Sequence, residues 1–119
     1  MDSDWIEMSR SPIARECPDA PIIVWHVYSG AMVERLERAR KNRFMTHWRE
    51  IDNGAWIDAR ERKPTQEDAD AYDCVISQDV WGEVAMAGWH RFDREPRLAR
   101  WQTPPPAPPN ICELRNRIR

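Results

Sequence analysis

Short runs of β-branched and aromatic residues, separated by turn-forming residues, dominate the hydrophobic pattern of this chain. Runs of about four to eight such residues, bounded by glycine, proline or acidic turns, are typical of strands. Such runs lie at residues 22–28, 44–48, 74–77 and 83–90, with a short strand at residues 5–6 and a hairpin turn at residues 78–82, and residues 98–102 close the second unit. The pattern predicts a mainly β protein made of small antiparallel units, with an α+β arrangement as the other possibility.

Residues 31–43 fit two kinds of secondary structure. Apolar residues recur there at helical spacing, at Met32, Val33, Leu36 and Ala39. The corresponding residues 82–87 of the second half of the chain are typical of a strand instead. We expect a strand that passes into a helical turn near residues 34–41. A short helix is therefore possible at residues 31–42, and another at the C-terminus.

The chain repeats itself at an interval of 51 to 53 residues, as W-I-x3-R-x-P at residues 5–12 and W-I-x4-R-x-P at residues 56–64. A repeat at a nearly fixed interval indicates a duplicated unit. We expect unit one at residues 4–51, unit two at residues 55–103, and a proline-rich exit and tail at residues 104–119. A unit of about 50 residues is marginal alone, so the two should share one core. The matching pairs are Trp5 with Trp56, Arg10 with Arg62, Pro12 with Pro64, Val24 with Val75, Gly30 with Gly82, Val33 with Val84, and Trp48 with Trp101.

The charge of the chain is nearly balanced, with 18 basic and 20 acidic residues and a net charge of -2. This balance argues against direct binding to nucleic acid, which needs a clearly basic face. Two local runs stand out, and each is first a solvated face and only second a partner-binding surface. The basic run is Arg35, Arg38, Arg40, Lys41 and Arg43, and the acidic run is Glu67, Asp68, Asp70 and Asp73.

The cysteines and histidines predict neither a disulfide framework nor a metal site. Three cysteines have no C-x-x-C spacing, and no histidine lies at ligand spacing to another ligand. A reducing cytoplasm, with Cys74 as a core residue, is the natural expectation. The N-terminus lacks an apolar leader, and no run reaches membrane-spanning length, so we expect neither a signal peptide nor a membrane partner.

Enzymatic motifs are missing from the sequence. No phosphate-binding glycine loop or nucleophile elbow occurs, and the acidic run lacks the glycine and glutamate of a calcium loop. We therefore expect a protein that is not an enzyme and has no cofactor.

Tryptophan and arginine are the better indication of function, because these residues dominate protein-interface hot spots. Among the seven tryptophans, Trp81 at a hairpin tip and Trp25 are the candidates for display to a partner. The competing interpretation is that each covers the core.

The second unit resembles a small phage-associated family termed domain of unknown function 551. Members open with W-I, continue to an R-x-P loop, pass a V-x-V and a G-x-V strand, and close on T-H-W before prolines. Trp56-Ile57, Arg62, Pro64, Val75, Gly82-Glu83-Val84 and Trp101 match this order, whereas the T-H-W triplet stands in unit one at Thr46-His47-Trp48. The resemblance implies a small antiparallel β unit of phage or mobile-element origin, and it carries over no catalytic residue.

Three functions follow as hypotheses. The leading one is a phage or mobile-element protein that binds and inhibits a host protein, plausibly as an anti-CRISPR type inhibitor of a nucleic-acid-binding defence component. It would act in the host cytoplasm as a monomer or homodimer. The second is a protein that sequesters a nucleotide-like molecule between the units through Arg10 and Arg62, since arginine suits phosphates. The third is a phage structural or assembly component.

Overall fold

The computed structural model describes residues 5–8 and 20–108 of the chain. These residues form two compact units, one of residues 5–8, 20–51 and 106–108 and the other of residues 52–105. The division lies close to the predicted start of unit two, but residues 106–108 belong with unit one. The C-terminal helix predicted from the sequence lies outside the described residues.

Unit one is a four-stranded antiparallel sheet with the strand order β1-β4-β2-β3. A five-residue helix, α1, joins β3 to β4 and buries Leu36 and Ala39. The prediction of a strand that passes into a helical turn is therefore confirmed, because β-branched Val33 is followed by good helix formers. The elements are β1 (Ile6–Glu7), β2 (Pro21–His26), β3 (Gly30–Arg35), α1 (Leu36–Arg40) and β4 (Met45–Arg49).

Unit two is a second four-stranded antiparallel sheet, with the order β5-β8-β6-β7. Its strands are β5 (Ile57–Asp58), β6 (Cys74–Asp79), β7 (Val84–Gly88) and β8 (Leu98–Gln102), and two 3-10 helices are Gln66–Asp68 and Trp89–Asp93. The mainly β prediction is confirmed. The predicted strand at residues 83–90 is too long at both ends, since a 3-10 helix starts at Trp89 and buries Phe92. Among the described residues, no helix has the length and apolar character needed to span a membrane.

The two sheets repeat the same register. Trp48 of β4 faces Val24 of β2, and Trp101 of β8 faces Ser77 of β6. Each residue of the second pair follows its counterpart in the first pair by 53 positions. The register shifts at equivalent places, between Trp25 and His26 in β2 and between Gln78 and Asp79 in β6. The two units therefore share strand order, strand pairing and the position of the register shift, as expected for the duplication seen in the sequence.

The two core clusters repeat the pattern as well. The equivalent core positions are Ile22 and Val75, Leu36 and Trp89, Ala39 and Phe92, Met45 and Leu98, and Trp48 and Trp101. Each cluster consists of residues of one unit, so each sheet packs its own short helix. The sharing of one core by the two units stays a prediction.

The register corrects three of the pairs inferred from the sequence. In the first strand of each unit, Ile6 lies opposite Trp48 and Ile57 lies opposite Trp101. Ile6 and Ile57 are therefore equivalent and 51 positions apart, whereas equivalent residues of all later elements are 53 positions apart. Unit two therefore gains two residues between its first and second strands, and the offset is constant afterwards. The structural counterparts of Val24, Gly30 and Val33 are Ser77, Glu83 and Met86, not Val75, Gly82 and Val84.

Candidate functional site

The hairpin tips that join β2 to β3 and β6 to β7 are tied to their units by the same backbone bond. Val27 N donates to Phe44 O at 2.9 Å, and Val80 N donates to Arg97 O at 2.8 Å. In both tips the first residue after this bond is aromatic, Tyr28 in one and Trp81 in the other. The tips can therefore be compared residue by residue.

The tip of unit one keeps its apolar side chains against the protein. Val27 is 0% exposed and Tyr28 is 41% exposed. The Tyr28 ring lies 5.5 Å from the Phe44 ring and 6.2 Å from the His26 ring. His26 Nδ1 accepts hydrogen bonds from the Tyr28 and Ser29 amides, each at 3.2 Å. Burial lowers the pKa of His26, which favours the neutral ring that can accept these bonds.

The tip of unit two presents its apolar side chains to solvent. Val80 is 60% exposed and Trp81 is 75% exposed. Asp79 Oδ1 accepts bonds from the amides of Trp81 and Glu83, each at 2.9 Å, and Gly82 takes a positive φ of 91°. Glycine adopts this backbone conformation without steric cost. Because side-chain and backbone bonds both hold the turn, Trp81 is carried on a well-defined backbone.

A groove of about 230 Å³ lies beside Trp81, on the face of the sheet that also carries the core. Its floor includes Ser77, Ala85 and Leu98, and its rim includes Trp81 and Arg97. Ser77 Oγ donates to Ala85 O at 2.8 Å, so the hydroxyl on the floor is already hydrogen-bonded. The groove therefore offers small side chains below and large ones at its sides.

The floor is open because two positions differ between the units. Val24 and Met32 of unit one are replaced in unit two by Ser77 and Ala85, as the register shows. In unit one, Val24 belongs to the core cluster and Met32 packs against it. The smaller pair in unit two leaves that volume unfilled, and Ala85 is exposed.

Two arginines and three carboxylates, those of Asp79, Glu83 and Glu95, line this groove. Arg91 donates to Glu95 Oε1 from Nε at 2.9 Å and from Nη2 at 2.6 Å, and Arg97 Nε donates to Glu95 Oε2 at 3.1 Å. The Arg91 hydrogen bonds, and then the Arg97 bond, hold the pKa of Glu95 below its usual range against an opposing effect of desolvation. One carboxylate thus holds two cations, and with Asp79 and Glu83 the carboxylates of this groove outnumber its arginines.

A second groove, of about 540 Å³, lies between Asp58, Arg60, Val80, Pro96 and Arg100. Two of its arginines are already bonded to other side chains that line it. Arg60 pairs with Asp58 at 2.9 Å, and Arg100 Nε donates to Gln78 Oε1. Because these arginines are already bonded, the second groove is a weaker candidate for a binding site than the groove beside Trp81.

Among the residues predicted for partner binding, the two tryptophans differ. Trp81 is exposed as expected. Trp25 is half-buried, its ring lies 6.1 Å from the Trp5 ring, and its indole nitrogen is buried without a hydrogen-bond partner among the described residues. The prediction that Trp25 is displayed is therefore wrong. Its place on a strand beside Trp5, and not at a turn, explains the difference.

The basic run lies on the surface around α1. Arg35, Arg38, Arg40, Lys41 and Arg43 are all exposed. The Arg43 guanidinium lies 4.9 Å from the centre of the Phe44 ring. The binding role of these five side chains stays a prediction.

Two of the four residues of the acidic run are occupied by hydrogen bonds within their own loop. Asp68 accepts bonds from Thr65 N at 2.8 Å and from Arg62 at 3.1 Å, and Asp70 Oδ1 accepts from the Tyr72 and Cys74 amides. Desolvation acts to raise the pKa of Asp68, but these bonds outweigh it and lower the pKa. Glu67 and Asp73 are exposed. Half of the run therefore stabilises the loop.

Arg62, one of the arginines of the nucleotide hypothesis, is also used by its own unit. Its guanidinium lies 4.7 Å above the Trp101 ring, and its carbonyl accepts the Trp101 indole N–H at 2.8 Å. With the Asp68 pair, these contacts cover and bond the core tryptophan. The other arginine, Arg10, lies outside the described residues.

No group of histidine, cysteine or carboxylate side chains in residues 5–8 and 20–108 has the arrangement of a metal site. Cys74 is a half-buried thiol, and its pKa is raised by desolvation and by the charges of Asp70 and Asp73. A raised pKa makes a thiol a poorer nucleophile at neutral pH.

Comparison of this chain with protein families, curated proteins and solved structures finds no match. The resemblance to the phage-associated family stays a prediction, and the site rests on geometry alone.

Sequence reasoning missed Val80, Ala85, Arg91, Glu95 and Arg97. The signal was present in the pairing of the two halves. At an offset of 53, Ala85 aligns with Met32, and a large-to-small change at a core position becomes visible. The sequence comparison used a few matching residues with intervals of 51 to 53 positions, and these unequal intervals concealed the change from Met32 to Ala85.

Proposed function

We propose that this chain is a non-enzymatic protein that binds a partner protein through the second hairpin. The proposal is carried by one observation, the exposure of Trp81 and Val80 at the tip of a turn held by Asp79. Tryptophan gives a large contact area with few rotatable bonds, and it is enriched among hot spots of protein interfaces.

The surroundings of Trp81 support the same interpretation. A groove lies at one side of the tryptophan, and arginine side chains are found at its rim. Apolar anchors ringed by polar groups are the usual anatomy of a protein interface. Ser77, Arg91 and Glu95 of this surface are engaged in structural bonds.

We further propose, from the family resemblance, that the partner is a host protein and that binding inhibits it. A phage protein that blocks a host defence component, such as an anti-CRISPR inhibitor, is the setting we favour. This setting rests on association with a family and not on the geometry of the site.

The experiment is a capture assay with the full chain immobilised and a bacterial lysate as the source of partners. We expect one stoichiometric partner, identified by mass spectrometry. Trp81→Ala should weaken its affinity about thirtyfold, equivalent to about 2 kcal/mol, as for a hot-spot residue.

Tyr72→Ala is the matched control, because Tyr72 is also an exposed aromatic of unit two, at 56% exposure. It should leave capture unchanged. Capture of nothing, or an equal loss with both variants, would contradict the proposal.

A further inference from the structure

Unit one includes a proline-rich segment that comes from the far end of the described chain. This segment, residues 106–108, is called the strap below, and it continues the run P-P-P-A-P of residues 104–108. Residues 103–108 form neither helix nor strand. Proline fixes the backbone φ angle and favours the extended polyproline II helix, whose carbonyl groups have no internal hydrogen bonds. The carbonyls of the strap are therefore free to bond donors of the protein surface.

The strap is held by a hydrogen bond from Trp5. The indole Nε1 of Trp5 donates to the carbonyl oxygen of Pro106 at 2.8 Å. Pro108 is buried, whereas the side chains of Pro106 and Ala107 are exposed. The strap thus turns one carbonyl and one proline ring towards the protein and its other side chains towards solvent. Trp5 itself is buried, with an exposed fraction of 9%.

Trp5 belongs to an aromatic surface on the face of the sheet opposite the core cluster. Trp25 of β2 and His47 of β4 are cross-strand neighbours. Their side chains point away from the core cluster, because the adjacent Val24 and Trp48 point into it and side chains alternate along a strand. The Trp5 ring lies 6.1 Å from the Trp25 ring and 6.5 Å from the His47 ring, edge-on to both. Proteins recognise polyproline II segments with aromatic-lined surfaces of this kind.

Unit two shows that a unit forms its sheet without this bond. Trp56 is the counterpart of Trp5, since each directly precedes the first strand of its unit and Ile6 and Ile57 are equivalent. The indole nitrogen of Trp56 is buried and has no hydrogen-bond partner within residues 5–8 and 20–108. The strand order of unit two is nevertheless that of unit one. The strap is therefore an addition to the common fold of the units, bound to unit one as a ligand would be.

We propose that the aromatic surface of Trp5, Trp25 and His47 is a binding site for proline-rich extended segments. The strap occupies this site within the chain, and a proline-rich segment of a partner protein replaces it there, offering the same carbonyl and proline ring. Because the strap is tethered, its effective concentration at the site is on the order of millimolar, and a partner segment has to compete with it. This site lies in unit one and is distinct from the Trp81 surface of the proposed function.

The test measures binding of a fluorescein-labelled peptide, P-P-P-A-P-P, to the full chain by fluorescence anisotropy. Combined Pro106→Gly and Pro108→Gly substitutions make the strap flexible and a weaker competitor. This glycine variant should bind the peptide about tenfold more tightly than the unaltered chain. Trp5→Phe, added to the glycine variant, removes the indole N–H and keeps an aromatic ring. It should weaken peptide binding about tenfold. A peptide with alanine in place of every proline should not bind.

Trp56→Phe is the matched control, because Trp56 is the counterpart of Trp5 in unit two. Added to the glycine variant, it should leave peptide affinity unchanged, as should Trp81→Ala. Circular dichroism should show that all variants fold. A second measurement needs no substitution in the protein under test. In proton–nitrogen correlation spectra of the unaltered chain, peptide at a concentration on the order of millimolar should shift the Trp5 indole signal and leave the Trp56 signal in place.

Three results would overturn the inference. One is that neither the unaltered chain nor the glycine variant binds the peptide. Another is peptide binding that Trp5→Phe leaves intact, or that Trp56→Phe weakens equally. The third is a homodimer in sedimentation that the glycine substitutions dissociate, since the strap would then belong to the site of a second copy. None of these results changes the lysate capture that depends on Trp81, so the proposed function is judged separately.

Discussion

The two hairpins of this protein are tied to their units by the same backbone bond, but their tips have opposite surface character. In unit one, the valine at the tip is buried and the tyrosine packs on Phe44. In unit two, the valine and the tryptophan at the same positions lie in solvent. The bond that fixes each tip to its unit is the same. This anchoring bond is therefore compatible with a packed tip in one unit and an exposed tip in the other.

The two units also differ in packing at the groove. Val24 and Met32 fill unit one, whereas Ser77 and Ala85 leave a groove in unit two. The helix positions behind them keep equivalent buried residues, Ala39 and Phe92. The divergence therefore reaches the core face of the sheet, since Ser77 lies directly opposite Trp101.

The largest expected effect tests whether the cores are truly equivalent. Trp48→Ala and Trp101→Ala each remove a buried ring opposite the second strand of its unit, and Trp101→Ala also removes the bond to Arg62 O. Each should lower the free energy of unfolding by about 3 to 5 kcal/mol. Urea unfolding followed by far-ultraviolet circular dichroism measures both. A cost near zero for either variant would break the equivalence.

A pH effect should separate the two tips. The pKa of His26 is lowered by burial, so the folded state favours the neutral ring. Its contribution to stability is therefore present above the unfolded pKa of about 6.5 and is lost as the pH falls through the lower folded value. His47, also in unit one, has its pKa lowered by burial, partly offset by Glu7. Hydrogen-exchange protection factors of the Tyr28 and Ser29 amides should fall on acidification to about pH 5, the lower part of the usual histidine range.

The amides of Trp81 and Glu83 serve as the internal control, since they donate to the Asp79 carboxylate instead of an imidazole. Their protection should persist over the same interval. An equal loss at both tips would show that acid acts on the whole molecule and not on the histidine turn.

The smallest expected effect concerns the tip side chains themselves. Tyr28→Ala removes ring contacts with Phe44 and His26 and should cost about 1 kcal/mol of unfolding free energy. Trp81→Ala removes an exposed side chain and should change stability by less than about 0.5 kcal/mol. Thermal and urea unfolding of both variants measures the difference. If Trp81→Ala were the more destabilising change, Trp81 would be a packing residue and not a display residue.

Much of the fold was accessible from the local pattern. The strands β2, β4 and β6, and the passage from β3 into α1, follow from β-branched runs, turn residues and helix formers that lie close together along the chain. The repeat was also visible, because Trp5, Trp56, Trp48 and Trp101 are large anchors that small shifts do not hide. Register was harder, since one glycine or valine resembles another, and only strand pairing placed the two extra residues between the first and second strands.

The candidate site was accessible only in part. Trp81 follows from a tryptophan within turn residues, but Trp25 seemed equivalent and proved to be packed against Trp5. The groove residues carried no motif, because Ala85, Leu98 and Arg97 come from different elements and meet only when β6, β7 and β8 are paired.

The sequence by itself determined that this protein is a duplicated, mainly β chain, because alternation, turn chemistry and repetition are properties of neighbouring residues. Only the tertiary structure decided which copy of each pair is buried and which is exposed. Burial depends on what fills the space above a strand, and that space is set by side chains distant in sequence. Val24 with Met32 fill it in one unit, and Ser77 with Ala85 leave it open in the other.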